Sequence, residues 1–211
     1  MLASRLVKSC LFMLVALAPI AARASFVIDT FNGSQGSNYT LANGLSVVRT
    51  TDPFKGTTAF TGTSVVFTQN AAATGALPSG MSVNYSFSNT IGSVDSLGGT
   101  PAIDLKFNSV TGNNWLVSFE WFSDNAFTTS IGSASGAIPA SAGTLFTSTA
   151  LGASFLNAQS LTMTIFRQSG TSGSFDLSNV TATPEPTTLL LFGSVAGMGF
   201  VARRRMKKKV A

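Results

Sequence analysis

Residues 115–121 read Trp-Leu-Val-Ser-Phe-Glu-Trp, and this stretch carries the clearest indication of the fold. Large apolar side chains stand at every second position, at Trp115, Val117, Phe119 and Trp121. Polar Ser118 and Glu120 lie between them. Apolar and polar residues alternate with period two when a β-strand turns one face to a core and the other to solvent. The stretch therefore predicts a half-buried β-strand.

The same alternation recurs in three further runs, at 81–87, 103–107 and 161–165. Gly- and Asn-containing turns separate the runs, and helix-forming residues are few between 25 and 183. Weaker strands are predicted at 26–31, 45–50, 58–67, 144–147 and 174–181. The stretch 128–143 is rich in Ser, Gly and Ala, which predicts a loop. This pattern predicts an all-β fold, an antiparallel β-sandwich or jelly roll.

The formal net charge of +5 is concentrated at the two ends of the chain. Of 13 Lys and Arg residues, three precede residue 25 and six follow residue 202, so that four remain between them. Seven of the eight acidic residues lie, with these four cations, between residues 25 and 183, so this part of the chain is weakly acidic. Such a domain lacks the positive surface that binds phosphate backbones, and no nucleic-acid partner is expected.

The N-terminus has the three parts of a secretory signal peptide. A positive segment precedes an apolar run at 10–20, and Ala22 and Ala24 form a small-residue cleavage site before Ser25. We expect a signal peptidase to remove residues 1–24, so that Ser25 begins the processed chain.

The processed chain lacks two residue types on which much catalysis depends. The sequence has no histidine, and its single cysteine, Cys10, leaves with the signal peptide. His-based triads, His-ligated zinc and thiol chemistry are thereby excluded. Glu120 and Asp124 are the nearest acidic pair for a hydrolase, but four residues along a strand span about 13 Å, more than glycosidase carboxylates use. We therefore interpret both as surface acids and predict that the protein is not an enzyme.

Other residues of the domain leave alternative functions open. Trp115 and Trp121 could stack on sugars, but their register favours the core, so Phe122 is the better exposed aromatic for a carbohydrate-binding module. The Thr-x-Thr patterns at 162–164 and 181–183 suggest an ice-binding surface as a further alternative. A hydrolase is the last alternative.

Two aspartates suggest a metal site. Asp29 and Asp176 fall in the predicted first and last strands, which are often neighbours in jelly rolls. Carboxylates are ligands that Ca²⁺ prefers, so a structural Ca²⁺ at these residues is a hypothesis. No other cofactor is expected.

The C-terminal tail has three unlike parts in order. Residues 184–186 are Pro-Glu-Pro, which can neither join a sheet nor continue a helix and so stays accessible to a protease. The uncharged run 187–202 would form a helix about 24 Å long, a marginal transmembrane anchor. Six cations follow and keep their end on the cytoplasmic side: Arg203, Arg204, Arg205, Lys207, Lys208 and Lys209.

This tail resembles the PEP-CTERM sorting signal of Gram-negative bacteria over residues 182–209. In that family a membrane-embedded exosortase recognises the signal, and removal of the tail accompanies export to the cell surface or the extracellular matrix. The resemblance implies that Pro184, Glu185 and Pro186 are the recognition residues. It also implies a membrane-anchored intermediate before processing.

These observations divide the chain into a signal peptide at 1–24, a β-sandwich at 25–181 and a sorting signal at 182–209. We predict a protein that passes through the inner membrane to the cell surface or to an exopolysaccharide (biofilm) matrix. Its predicted role there is structural or adhesive, with exopolysaccharide as a partner.

Overall fold

A computed structural model describes residues 25–32, 38–94, 101–140, 143 and 145–183. The described part of the chain contains a short helix, α1 (Ile91–Val94), and a 3₁₀ helix at Ala153–Asn157. It also contains twelve strands: β1 (Phe26–Asp29), β2 (Asn38–Thr40), β3 (Ser46–Phe54), β4 (Gly56–Phe60), β5 (Val65–Gln69), β6 (Ser79–Phe87), β7 (Ala102–Thr111), β8 (Trp115–Phe122), β9 (Ser130–Ile138), β10 (Leu145–Thr147), β11 (Ser160–Arg167) and β12 (Ser174–Thr183).

Two antiparallel six-stranded sheets form a sandwich. The first, the β12 sheet, has the order β10-β7-β12-β5-β4, with β1 also paired to β12. The second, the β11 sheet, has the order β2-β3-β6-β11-β8-β9. Aromatic rings join the sheets, as where Phe67 of β5 meets Trp115 of β8 edge to face at 5.9 Å. The predicted antiparallel β-sandwich is confirmed.

The period-two pattern also identifies the core residues correctly. Trp115 and Trp121 are 1% and 2% exposed, and the apolar positions of β6, β7 and β11 are buried in the same way. The weaker strands predicted at 26–31, 45–50, 144–147 and 174–181 overlap β1, β3, β10 and β12. The period-two alternation in the sequence therefore arises because alternate side chains of each strand are buried between the two sheets.

The run 58–67, predicted as one strand, is a hairpin of β4 and β5. The backbone N–H of Thr61 donates to the carbonyl oxygen of Ser64 at 3.0 Å, and the two hydroxyl oxygens lie 2.8 Å apart. Gly62 has a φ of 92°, which favours glycine. The turn between the two strands consists of Thr, Gly, Thr and Ser. Because Thr and Ser also occur on the polar face of a strand, the sequence did not reveal that the strand is interrupted here.

The loop predicted at 128–143 is wrong, because Ser130–Ile138 forms β9 at the edge of the β11 sheet. Its small residues are required by neighbouring rings. A Cβ atom at Gly132 would overlap the ring of Trp121, and one at Gly136 would lie 2.7 Å from the ring of Phe146. The stretch is a strand because it pairs with β8 and leaves room for aromatic side chains, although its own β propensity is low.

Candidate functional site

The end of β12 lies directly before the predicted recognition residues. Ala182 pairs with Ile103 and Thr183 with Ala102, so both residues belong to the sheet. The domain boundary predicted after residue 181 therefore falls inside β12. Pro184, Glu185 and Pro186 follow at once in the sequence but lie outside the described residues, as do the predicted helix at 187–202 and the cations at 203–209.

The start of the predicted processed chain lies at the same end of the sandwich. Phe26, the first residue of β1, pairs with Ala182, and the two strands run antiparallel. Ser25 precedes Phe26 and is exposed to solvent. The predicted cleavage residues Ala22 and Ala24 lie outside the described part of the chain. Ser25 and the C-terminal end of β12 thus lie at the same end of one sheet.

Asp29 forms a buried ion pair between the sheets. Its two oxygens lie 2.7 and 2.9 Å from Nη1 of Arg49, and the side chains are 2% and 0% exposed. The backbone N–H of Phe31 donates to Oδ1 at 2.7 Å. The rings of Phe31 and Phe60 face the guanidinium, at 5.3 and 5.0 Å from their centroids. One feature of the sequence indicated that Arg49 is buried. Arg49 lies two residues after Val47 in the same strand, so both side chains point to the same face.

Two tyrosines complete the surroundings of this pair. The hydroxyl of Tyr39 donates to the carbonyl oxygen of Ile28 at 2.8 Å. The pKa values of Tyr39 and Tyr85 are raised far above the ordinary tyrosine range. Burial is the largest cause, and the nearby charge of Asp29 is the second. Both side chains therefore stay neutral, and the group serves to hold β1 against β3.

The structure does not bring the two calcium candidates together. Asp29 lies opposite Val180 of β12, four residues from Asp176, which corresponds to about 13 Å along the strand. Asp29 turns inward to Arg49, whereas Asp176 stands between the inward-facing Phe175 and Leu177. Among the residues that the structure describes, no group of three or more His, Cys, Asp or Glu side chains is placed to hold a metal ion.

The acidic pair Glu120 and Asp124 has two different environments. Glu120 is exposed on the outer face of the β11 sheet. Asp124 caps a loop, accepting hydrogen bonds from the N–H groups of Ala126, Thr128 and Thr129 and from the Thr128 hydroxyl. These bonds, the Thr128 N–H first among them, lower the pKa of Asp124 to about 2. Asp124 thus organises the turn between β8 and β9.

Phe122, predicted to be the exposed aromatic, is in fact buried. It is 8% exposed and its ring lies 5.5 Å from that of Phe127, in the loop after β8. The pairing of β8 with β9 has a bulge between Trp121 and Phe122, and the following loop folds over Phe122. The side chain of Phe122 is therefore buried, although Phe122 lies outside the apolar register of β8.

Arg167 is a buried cation that sequence reasoning missed. Its Nη1 donates to the side-chain oxygen of Gln69 at 3.2 Å and to the carbonyl oxygen of Ser172, and its guanidinium lies 5.4 Å from the Trp115 ring centroid. A Cβ atom would press on this guanidinium at each of three glycines: Gly112, Gly170 and Gly173. The only sign in the sequence was the number of glycines near Arg167 and Trp115.

A cavity of about 370 Å³ opens at this end of the β11 sheet. Trp115 and Leu116 begin β8 on one side of it, and Ala137 and Ile138 end β9 on another. Polar side chains complete its wall: Asn114, Gln168 and Ser169. The side chains of Asn114, Gln168 and Ser169 form no hydrogen bond with another described residue. The cavity combines apolar and hydrogen-bonding surface.

The two Thr-x-Thr patterns do not form one surface. Residues 162–164 belong to β11 and residues 181–183 to β12, which are in different sheets. Thr162 and Thr164 alternate with the buried Met163 and face outward from the β11 sheet. The threonines proposed for ice binding are thus divided between the two sheets.

Within the described part of the chain, no helix is long and apolar enough to cross a membrane.

No curated protein matches the sequence. Two solved structures similar to this chain are of family 11 carbohydrate-binding modules from Clostridium thermocellum. One, from the cellulosomal cellulase Lic26A-Cel5E, has 14% identity and a TM-score of 0.46 and covers 78% of this chain and 97% of that chain. The other, in complex with a β-1,3-1,4-mixed-linked tetrasaccharide, has 15% identity and a TM-score of 0.47 and covers 78% and 98%.

A family model gives the clearest finding about function. The model of the PEP-CTERM protein-sorting motif matches residues 182–205, which contain the Pro-Glu-Pro, the apolar run and the arginines. This motif is the recognition signal for exosortase processing, and it implies export through a membrane-anchored intermediate. The chain therefore carries a PEP-CTERM protein-sorting motif, joined directly to the last strand of its β-sandwich.

Proposed function

We propose that the β-sandwich is the cargo of the sorting motif and acts as a non-enzymatic structural or adhesive component of the cell surface or of an exopolysaccharide matrix. A signal peptidase removes residues 1–24, and the apolar run at 187–202, predicted from the sequence to be a helix, then holds the protein in the inner membrane. The exosortase processes the tail, and the folded domain is delivered outside.

The observation that carries this proposal is the direct junction between β12 and the motif. β12 lies between β7 on one side and β1 with β5 on the other, and it is paired up to Thr183. A protease that threads an extended peptide therefore finds its substrate only beyond Thr183. Because Phe26 pairs with Ala182, both processing events act at the membrane-facing end of the sandwich.

A non-enzymatic role is supported by what the charged side chains of the domain do. Asp29 and Arg49 pair with each other inside the core. Asp124 caps a loop, and Arg167 holds the segment that contains Ser172. Each of these charges is engaged in holding the fold.

The sorting part is tested by changing Pro184, Glu185 and Pro186 together to alanine. Membrane insertion should be unaffected, because the apolar run at 187–202 is unchanged. The protein should accumulate uncut in the inner membrane with its basic end attached, as shown by fractionation and intact mass in a host with the cognate exosortase. The matched control, Thr187→Ala with Thr188→Ala, should be processed normally. Normal release of the triple variant would show that Pro-Glu-Pro is only a linker and would refute the proposal.

The role outside the cell is tested on the processed protein. It should remain with the washed exopolysaccharide matrix and should release no new reducing ends from it. Recovery only as free protein in the medium would refute the structural role while leaving the sorting intact. Newly formed reducing ends would refute the non-enzymatic role.

A further inference from the structure

The outer face of the β11 sheet carries two parallel rows of small polar side chains. Register places one row across β3, β6, β11, β8 and β9 at Thr50, Asn84, Thr162, Glu120 and Ser133. The next row, two residues along each strand, holds Asp52, Ser82, Thr164, Ser118 and Ser135. Every member is partly or fully exposed. Five strands at the usual spacing give each row a length of about 19 Å.

An apolar row borders these polar rows. Its members lie in register across the same five strands: Phe54, Gly80, Phe166, Leu116 and Ala137. Phe54, Phe166 and Leu116 are half-buried, and Ala137 is exposed. Leu116 and Ala137 also line the 370 Å³ cavity, so the apolar row leads into it. The cavity volume lies within the range of small-molecule sites.

The hydrogen-bonding groups on this face are only partly used by the protein. The Thr162 hydroxyl donates to the amide oxygen of Asn84 at 2.8 Å, which leaves the amide NH₂ of Asn84 available. The hydroxyls of Ser82 and Thr164 are 3.0 Å apart. Ser118 and the serines of β9 form no side-chain hydrogen bond with other described residues. The face therefore offers both donors and acceptors beside an apolar strip.

The charges on this face exclude a polyanionic ligand. Its ionised groups are the carboxylates of Asp52 and Glu120. None of the four Lys and Arg side chains among the described residues belongs to the two polar rows or to the apolar row. Arg49 and Arg167 are buried, Lys106 belongs to the β12 sheet, and Lys55 donates to the carbonyl oxygen of Ala72. A ligand rich in carboxylate, sulfate or phosphate would be repelled, whereas neutral hydroxyl groups can donate to both acids.

We infer that this face binds a neutral polysaccharide chain lying across the strands, with one sugar unit seated in the cavity. Sugar rings present apolar C–H faces, which match the row of Phe54, Phe166 and Leu116, and hydroxyl edges, which match the polar rows. Asn114 and Gln168 supply hydrogen-bonding groups at the cavity itself. The inference rests on the proposed function, because it names the chemical class of the matrix component that holds the exported domain.

Affinity electrophoresis of the exported, processed protein tests this site. The probes are the neutral polysaccharides β-glucan, xylan, galactomannan and dextran, together with the polyanion alginate. Phe166→Ala removes the central ring of the strip, and Ala137→Lys blocks the cavity entrance from a position that is already exposed. Leu145→Ala is the matched control, since Leu145 is 60% exposed on the other sheet. Melting temperatures show that each variant is folded, and Ala137→Lys keeps the test valid should Phe166→Ala unfold.

At least one neutral polysaccharide should retard the wild-type protein and the Leu145→Ala control equally. Each site variant should bind about tenfold more weakly, as expected when a central contact is truncated or blocked. Retardation by no neutral polysaccharide, retardation by alginate alone, or unchanged binding by folded site variants would overturn the inference. Because the tested protein has already been exported and processed, any of these results would leave the sorting function standing.

Discussion

The buried ion pair between Asp29 and Arg49 provides a stringent test of how the two sheets are held together. Arg49→Met removes the cation and keeps most of the side-chain volume. Asp29→Asn removes the anion and keeps an oxygen that can accept the N–H of Phe31. The double variant contains neither charge. Each single substitution leaves one charge in a site where the side chains are 0% and 2% exposed, so that no solvent can compensate it.

The structure allows the size of the effect to be worked out. Removing one partner of a buried pair costs about 3–5 kcal/mol, because the remaining charge stays desolvated. Arg49→Met also loses the contacts with Phe31 and Phe60, and we expect it to be at the upper end of that range. The double variant should lose less than the sum of the single variants. The expected coupling energy is about 2–4 kcal/mol, since replacing both members of a buried pair is often nearly neutral.

Denaturant unfolding of the processed protein, followed by tryptophan fluorescence, measures these free energies. Trp115 and Trp121 are both buried, so unfolding changes their environment strongly. The matched control replaces an exposed cation and an exposed acid that do not contact each other, Lys106→Met with Asp52→Asn. These should change the free energy of unfolding by less than about 0.5 kcal/mol and show no coupling.

Two results would refute the reasoning. A loss below about 1 kcal/mol for both single variants would contradict the desolvation argument. Strictly additive losses would mean that the two residues act separately and that the pair does not join β1 to β3. A second readout is proteolysis near the N-terminus, which should accelerate in the single variants because β1 loses its tie to the opposite sheet.

The remaining predictions concern other parts of the domain. Trp121→Ala should reduce the free energy of unfolding by about 3–5 kcal/mol, and an unchanged melting curve would disprove its core position. Gly132→Ala should cost about 1–3 kcal/mol by overlapping the Trp121 ring, whereas Gly75→Ala, which meets no atom within 4 Å, should be neutral; equal melting temperatures would contradict this. Asp124 has a folded pKa of about 2, below the unfolded value near 4, so its stabilisation is complete above pH 4 and is lost as the pH falls towards 2. The difference in melting temperature between wild type and Asp124→Asn should therefore shrink over that interval, and a constant difference would disprove it. N-terminal sequencing should begin at Ser25, and a sequence that begins at Met1 would exclude cleavage.

Properties that depend on neighbouring residues along the chain were accessible from the sequence. The sorting motif was recognisable because its three parts are consecutive, and no folded partner is needed to define them. The strands around Trp115, Met81 and Leu161 were accessible for a similar reason. A strand between two layers exposes alternate side chains, so its local pattern already records its burial.

Properties that depend on residues distant in sequence were decided only by the tertiary structure. β9 is a strand because β8 pairs with it and because Gly132 and Gly136 leave room for rings, which no local propensity expresses. Phe122 is buried because a loop folds over it, and Arg49 is buried because Asp29 of the opposite sheet neutralises it. The face inferred to bind polysaccharide is assembled from five strands, and residues that share one row, such as Thr50 and Thr162, lie up to 112 residues apart in the sequence. The register of these strands is set by packing of the core rather than by any one strand.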